Sequence, residues 1–214
     1  NIAKKNYNAQ KTQTAINNIV VQLKTCKMIG AWGLVLHINK QYPEDIAFVM
    51  KKLKKYAKKY GVKIILEMVS IKPHPTQTYE TPEKIDNLTE LIGSNESWWC
   101  WCIDTAHLWS AGIDVQKYDV MKNWFDRIIN KKKIGMFHLN GSSSKQESGR
   151  DKHEIAFSNN DIIWHNIKEE NSGLRAVVEF AVLRNCTIIC EINRGEYKQV
   201  VDSIKIIKKL SGVV

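Results

Sequence analysis

The sequence predicts an α/β fold of the TIM-type (β/α) barrel class, with roughly the first three βα units missing. Short apolar runs alternate along the 214 residues with longer amphipathic segments, as strands and helices alternate in βαβ units. Metal-binding side chains end these runs, at the position where α/β barrels hold their active sites. A doubly wound sheet has the same alternation. A closed barrel has eight strands, whereas this chain offers five and begins with Asn1, so we expect a segment of a longer protein.

Five apolar runs are predicted to form buried parallel strands. The first has the sequence WGLVLHI and the second VKIILEM, and each follows glycine-containing punctuation of the kind that separates helices from strands. The predicted strands span residues 32–38, 62–68, 99–104, 134–139 and 187–191.

The segments between the strands carry helical periodicity and helix-boundary signals. Residues 8–28 repeat apolar side chains at the spacing of one helical face. Thr81 and Pro82 are typical of an N-cap and a first helical position. The predicted helices span residues 8–28, 43–60, 81–93, 114–129, 161–168, 173–184 and 196–210. Because no linker interrupts this pattern, residues 1–214 are predicted to form a single domain.

Composition excludes several classes of protein. The chain is 43% hydrophobic and 25% charged, which is ordinary for a globular domain. No apolar run approaches the roughly 18 residues of a membrane span, and the polar, basic N-terminus does not resemble a signal peptide. Five cysteines without a regular framework or zinc-finger spacing favour a reducing compartment. We therefore expect an intracellular protein that is neither secreted nor membrane-bound.

The net charge of +10 suits a polyanionic partner, because each neutralised phosphate of a nucleic acid releases condensed counterions. A solubilising surface or a compositional bias toward lysine explains the same number. Charge alone leaves these alternatives open.

A metal-binding side chain ends every predicted strand. A lone His or Glu at such a place is more often a hydrogen-bonded structural residue, but here all five strands end in this way. Converging carboxylates and imidazoles would repel one another or stay unsatisfied, so a divalent cation is expected between them. The strand-end residues are His37, Glu67, Asp104, His138 and Glu191. Two positions earlier, strand periodicity directs an apolar residue into the barrel: Val35, Ile65, Cys102, Met136 and Ile189.

Three further residues enlarge this predicted site. His107 follows the third strand, and Asp151 and His153 follow a Gly/Ser/Lys loop at 141–150. Three protein ligands leave an open position for water or phosphate, which catalytic zinc prefers. Nitrogen and oxygen ligands without a thiolate suit Zn²⁺ or Mn²⁺ better than Mg²⁺. Clustered ions beside a basic loop point to phosphodiester hydrolysis.

The two remaining histidines, His74 and His165, fall in a proline-rich loop and near a predicted helix. Both are expected to be ordinary surface residues.

These residues resemble the endonuclease IV family, the class II apurinic/apyrimidinic endonucleases of the xylose-isomerase-like TIM-barrel superfamily. The stretch CIDTAHLWSAGID at 102–114 is the most specific part of the resemblance. Within the family, the sequence resembles the viral members. The matching segments are GLVLH at 33–37, LE at 66–67, CIDTAH at 102–107, FHLN at 137–140, DKH at 151–153 and CE at 190–191.

The resemblance implies a cluster of up to three zinc ions in the full-length protein. Glu67 would bridge two ions, and His37 would bind the first together with a histidine from the N-terminal part. The second ion would take Asp104, His138 and Glu191 in addition to the bridging glutamate. The third ion would take His107, Asp151 and His153.

The resemblance also implies the reaction, which is hydrolysis of the phosphodiester bond 5′ to an abasic nucleotide of double-stranded DNA, leaving a 3′-hydroxyl. Glu67 and Glu191 would be the catalytic carboxylates. Asn140, Ser142 and Lys152 would lie along the DNA backbone. A monomer is expected, associated with the missing N-terminal segment if that segment is supplied separately.

The sequence departs from the family pattern in two places. One of nine ligands and the early DNA-recognition loops belong to the part that precedes residue 1. After His153 the family continues with a second histidine and a Gly-Glu-Gly motif, whereas this chain reads EIAFS at 154–158. If the N-terminal part is absent, an unstable or inactive fragment is expected.

Two other functions compete with the endonuclease. A sugar isomerase or epimerase of the same superfamily needs only a single-metal set, which Glu67, Asp104, His138 and Glu191 also form. Such an enzyme would not need His37, His107, Asp151 and His153, and the positive charge favours DNA over a neutral sugar. The other alternative is a basic scaffold that binds nucleic acid without cleaving it.

Overall fold

The computed structural model describes residues 9–70, 72–167, 169–191 and 197–212. Its centre is a five-stranded sheet in which every neighbouring pair of strands is parallel, and helices cover the outer face. The strands, in their order across the sheet, are β1 (Gly33–Ile38), β2 (Lys63–Met68), β3 (Trp99–Asp104), β4 (Ile134–His138) and β7 (Thr187–Ile189). This arrangement confirms the predicted TIM-type barrel class, with five of the eight strands that a closed barrel contains.

Neighbouring parallel strands need crossover connections, and the helices between the strands supply them. They are α1 (Ala9–Met28), α2 (Pro43–Tyr60), α3 (Pro82–Ile92), α4 (Thr105–Ser110), α5 (Tyr118–Arg127), α6 (Gly173–Arg184) and α7 (Tyr197–Ser211). The boundaries of α2 follow its sequence signals. Pro43 occupies the first turn, and Gly61 ends the helix in the left-handed conformation with φ 64°. No helix within the described ranges is long and apolar enough to cross a membrane.

Aromatic side chains fill the layer between the sheet and its helices. Trp99 and Trp101 on β3 are buried, and Trp101 Nε1 donates to Thr89 Oγ1 of α3 at 2.9 Å. Phe137 on β4 packs edge-to-face against Phe125 of α5, with 5.8 Å between ring centroids. This packing holds the strands in register, and the register decides which side chains share the carboxyl edge of the sheet.

The inner face of the sheet carries a smaller apolar cluster. It contains Ile65, Cys102 and Met136, with Val35 packed against it, and these positions confirm the predicted inward direction. Ile189 is the exception, because 40% of this residue is exposed and the prediction of a buried interior position was wrong. It lies on β7, an edge strand of the described sheet that pairs with β4 on one side only.

The segment predicted as a helix at 161–168 forms consecutive turns over its described part, residues 161–167, so this prediction was wrong. The Asp161 carboxylate accepts backbone N–H groups on both sides of itself, from Phe157 at 2.8 Å and Ile163 at 2.9 Å. A carboxylate that binds amides before and after its own position winds the chain into turns instead of starting a helix.

A short hairpin and a short helix near the site were not predicted. The loop at 141–150 is bordered by an antiparallel hairpin of β5 (Gly141–Ser142) and β6 (His153–Glu154). Helix α4 starts directly at the end of β3, where the Asp104 side chain accepts the His107 backbone N–H at 2.9 Å. The hairpin contains the predicted ligand His153, and α4 contains the predicted ligand His107. The fifth strand, predicted at 187–191, ends at residue 189.

Candidate metal centre

The strand-end ligands meet at the carboxyl edge of the sheet because the strands are parallel and in register. His37 of β1 lies beside Glu67 of β2, and Asp104 of β3 lies beside His138 of β4. Glu191 follows β7 by two residues, and its backbone N–H donates to the Asn140 side chain at 2.9 Å. The structure therefore brings all five strand-end residues together.

Glu67 is the centre of the cluster and is completely buried. Its Oε1 lies 3.0 Å from His138 Nδ1 and 3.3 Å from His107 Nδ1, and its Oε2 lies 3.0 Å from His37 Nε2. The approach to His37 is short enough for an ion pair, yet Oε2 has no well-aligned hydrogen-bond donor in the described part of the chain. A buried carboxylate oxygen without a directed donor fits a site that takes a cation.

A second group of ligands lies beside the first. His153 Nε2 is 3.2 Å from His107 Nε2 and 3.0 Å from Asp151 Oδ1, and Asp151 Oδ1 is 3.5 Å from His107 Nε2. Asp104 Oδ2 lies 3.7 Å from His153 Nε2. Nitrogen lone pairs and carboxylate oxygens that converge at this distance match the donor set of zinc.

Three sets of ligand atoms in the described part of the chain are compact enough for one ion each, and two of them contain no thiol. Within each set the ligand atoms lie within 4.8 Å of one another. The two sets without a thiol are Glu67, Asp104, His138 and Glu191, and Asp104, His107 and His153, so Asp104 belongs to both. A third compact set contains Glu67, Cys102 and His138. The Cys102 thiol lies one step below the strand ends, and sequence reasoning assigned it only a packing role.

The histidines and carboxylates shift each other's protonation. Burial alone would raise the pKa of Glu67, but the hydrogen bond from His138 and the close approach of His37 lower it to about 2. Burial alone would lower the pKa of His107, but Asp104, Asp151 and Glu67 raise it to about 9. The lowered pKa keeps the Glu67 carboxylate ionised, and the raised pKa favours a proton on His107 that a bound cation would displace.

Asn140 was predicted to contact DNA, but the structure buries it in the cluster with 1% exposure. Its Nδ2 donates to Asp104 Oδ2 at 2.6 Å and its Oδ1 accepts the Glu191 backbone N–H. It therefore orients two ligands, as residues around metal sites do. Only the downstream position of Asn140 in the HLN segment signalled its closeness to the ligands.

Ser142 is also 1% exposed, and its hydroxyl lies 3.0 Å from that of Ser144. Lys152 is exposed and is the one predicted DNA contact that the fold leaves at the surface. It lines a cavity of about 820 Å³ together with Lys145, Arg150, Glu154 and serines of the loop. A cationic, hydroxyl-rich cavity beside Asp151 is suited to a phosphate backbone.

The two histidines predicted to stand outside the site do so. His74 Nδ1 accepts the Thr76 backbone N–H at 3.3 Å, within the loop after β2. His165 is exposed, and its Nδ1 lies 3.1 Å from the Ser158 carbonyl.

Comparisons with known proteins agree with this geometry. A family model described as Xylose isomerase-like TIM barrel matches residues 5–210. A protein named Probable AP endonuclease, from African swine fever virus (isolate Tick/Malawi/Lil 20-1/1983), is 35% identical over 187 residues. That match covers 83% of this chain, and the chain spans 61% of the length of the viral relative.

Two solved structures share the architecture. The crystal structure of AsfvAP:AG is 32% identical with a TM-score of 0.74, and the match covers 90% of this chain and 66% of that one. Endonuclease IV from Thermus thermophilus has a TM-score of 0.68 at 19% identity, a likeness in fold alone, over 94% of this chain and 70% of that one. Together the matches confirm the resemblance that the sequence segments indicated.

Proposed function

Because the chain belongs to the xylose isomerase-like TIM barrel family, we propose that it is the catalytic, metal-binding part of a zinc-dependent apurinic/apyrimidinic endonuclease. Its substrate is double-stranded DNA with an abasic site, and the bond hydrolysed is the phosphodiester 5′ to that site. The name of the viral relative and the similarity to AsfvAP:AG support this proposal. Both matches are to longer proteins, so the activity of the whole protein is part of what is proposed.

The observation that carries the proposal is the second ligand group. Glu67, Asp104, His138 and Glu191 suffice for one ion, which is all that a sugar isomerase of this fold requires. His107 and His153 form a further compact set with the shared Asp104, and Asp151 contacts both histidines. A single-metal isomerase has no use for this set, whereas phosphodiester hydrolysis uses neighbouring ions.

The two proposed catalytic carboxylates differ in exposure. Zinc bound here supplies an activated water and stabilises the attacking and leaving oxygens at phosphorus. Glu67 is buried between imidazoles and stays ionised, so it suits a bridging role. The Glu191 side chain is 41% exposed, and its Oε2 lies 3.4 Å from His138 Nδ1 and 3.5 Å from His153 Nδ1. We assign Glu191 Oε2 to hold the water or its proton at the mouth of the site.

The protein surface supplies the remaining part of the proposal. The net charge of +10 and the cavity lined by Lys145, Arg150 and Lys152 support binding of the DNA backbone next to the ligands. An intracellular place of action, in a host cytoplasm or a virion, and a monomeric state complete the proposal. Mn²⁺ is the alternative metal, because the same ligand types bind it.

The test combines elemental analysis of the purified chain with a nicking assay on matched duplexes, one abasic and one intact. Two or three zinc ions per chain with nicking only at the abasic site, leaving a 3′-hydroxyl, is the expected result. One ion with turnover of a sugar and an uncut abasic duplex would favour the isomerase. Tight binding of both duplexes without nicking would favour the non-enzymatic scaffold.

A further inference from the structure

The Asp161 carboxylate is a buried anion that binds only backbone amides. It is 1% exposed, and in the described ranges no lysine, arginine or histidine forms an ion pair with it. Its Oδ1 accepts N–H groups from Ser142 at 3.1 Å and Ile163 at 2.9 Å. Its Oδ2 accepts those of Phe157 at 2.8 Å and Trp164 at 3.2 Å. Four directed donors compensate the loss of hydration that burial imposes on a carboxylate.

Through Ser142, these bonds connect the turns at 157–164 to β5. Ser142 belongs to β5 and is paired with His153 of β6, so its amide is held one strand away from a proposed ligand. The Ser142 carbonyl accepts the Ile162 N–H at 2.8 Å, and the Asn140 carbonyl accepts Trp164 Nε1 at 3.2 Å. The turns therefore bind the backbone at Asn140 and at Ser142.

Gly141 shows how closely the carboxylate approaches this strand. A Cβ atom at that position would lie 2.4 Å from Asp161 Cγ and 2.5 Å from its Oδ1. A side chain at position 141 fits only if the Asp161 carboxylate moves away, so the position of the carboxylate depends on glycine at 141.

We propose that Asp161 is a positioning residue that fixes the β5–β6 hairpin and thereby sets the metal affinity of the ligand group Asp104, His107 and His153, with Asp151. The carboxylate has no direct contact with these ligands; it acts through Ser142, whose strand partner is His153. This inference rests on the zinc binding of the proposed function. It predicts that weakening the bonds of Asp161 to the backbone lowers the affinity for the ion held by Asp104, His107 and His153. The affinity of the set around Glu67 should stay unchanged.

Asp161→Asn is the sharpest test variant, because it keeps the size of the side chain. Whichever way the amide turns, its NH₂ group faces two of the four backbone donors, which lose their acceptor. Residues that orient metal ligands typically contribute about 10–100-fold to metal affinity. We expect a loss of that size for one ion per chain, measured by elemental analysis after dialysis against buffers of fixed free zinc.

Asp86→Asn is the matched control. Asp86 on α3 is also buried and also accepts backbone N–H groups, from Ile129 at 2.8 Å and Asn130 at 3.0 Å. Those amides follow α5, outside the metal centre. The control should lower the unfolding temperature and leave the zinc-binding curve unchanged. An equal loss of zinc in both variants would show that stability alone is responsible and would overturn the proposal.

Gly141→Ala covers the case in which Asp161→Asn does not fold, since the added methyl displaces the carboxylate without removing it. A wild-type zinc curve in Gly141→Ala, or in folded Asp161→Asn, would also overturn the proposal. A wild-type chain that binds no more than one zinc would contradict the proposed function itself, and the measurement on the unmodified protein separates this failure from the other.

Discussion

His107 and His153 bring their Nε2 atoms to 3.2 Å of each other, with Asp151 Oδ1 within 3.5 Å of both. Two neutral imidazoles gain nothing from such an approach unless a proton or a cation lies between them. His107 is fixed from its other side, since its Nδ1 lies 2.7 Å from the Met68 carbonyl. His107 Nδ1 thus contacts the backbone, and Nε2 faces His153 and Asp151 of the second ligand group. This arrangement is usual for metal-binding histidines.

The first prediction concerns His153. His153→Ala should remove one zinc ion per chain and lower abasic-site nicking by at least about 100-fold, because it deletes a ligand of the second group and not one of its supports. Elemental analysis and a nicking assay on the same preparation measure both effects. His165→Ala is the control, since His165 is exposed and outside the cluster. Nicking at the wild-type rate after loss of His153 would exclude a catalytic role for this group.

The second prediction concerns the direction of the pH dependence. In the metal-free chain the pKa of His107 is raised to about 9, so the folded state binds more protons than the unfolded state between pH 6.5 and about 9. This contribution to stability is complete below pH 6.5 and is lost as pH rises through about 9. The pKa of Glu67 is lowered to about 2, so its contribution is complete above pH 4.5 and is lost on acidification toward 2. Unfolding temperatures of the chelator-treated protein should therefore fall from pH 6.5 to 9.

Zinc should abolish this slope, because the ion binds deprotonated imidazole and its binding releases protons, so above about pH 7 neither the zinc-bound nor the unfolded histidines hold protons. Unfolding temperatures with zinc present should therefore stay nearly level from about pH 7 to 9. Calorimetric titration of zinc at pH 7.5 in buffers of different ionisation enthalpy should detect the released protons. Equal slopes with and without zinc would mean that these histidines are not ligands.

The ligands are predictable from the sequence because only two facts about each of them are needed. A strand ends at a predictable place, and parallel strands expose the residues at their ends along one edge of the sheet, so His37, Glu67, Asp104 and His138 could be placed without coordinates. Side-chain contacts with distant backbone could not be placed in this way. The helix predicted at 161–168 does not form. Local periodicity would place Asp161 at the start of a helix, but its carboxylate accepts the backbone N–H of Ser142, which is remote in sequence.

Asn140 shows the same limit at the site itself. The resemblance implied a contact with the DNA backbone, whereas the Asn140 side chain turns inward to Asp104 and to the backbone of Glu191. The choice between an inward and an outward rotamer depends on what the neighbouring strands offer, and one sequence does not contain that information.

The third prediction concerns Cys102, whose thiol forms a compact set with Glu67 and His138. Burial, followed by the charges of Glu67 and Asp104, raises the pKa of this thiol, so it should remain protonated and pack without binding zinc. Cys102→Ala should keep the zinc content of the wild type and lower the free energy of unfolding by about 1 kcal/mol for the lost apolar contact. Loss of an ion from this variant, or a thiolate-to-metal band in the cobalt-substituted protein, would instead make Cys102 a ligand.

The fourth prediction concerns the basic loop beside the ligands. Replacing Lys145, Arg150 and Lys152 with glutamine should weaken binding of abasic duplex and reduce the slope of log K against log salt by up to about 2.7, near 0.9 per phosphate contact. Turnover at saturating DNA should change little, because none of the three is a proposed ligand. The control replaces Lys51, Lys55 and Lys59, which are exposed on α2, with glutamine and gives the same change in net charge away from the site. Filter binding at several salt concentrations measures the slopes. If both triple variants lose the same slope, the overall charge of the protein and not this loop attracts DNA, and Lys152 has no special position on the backbone.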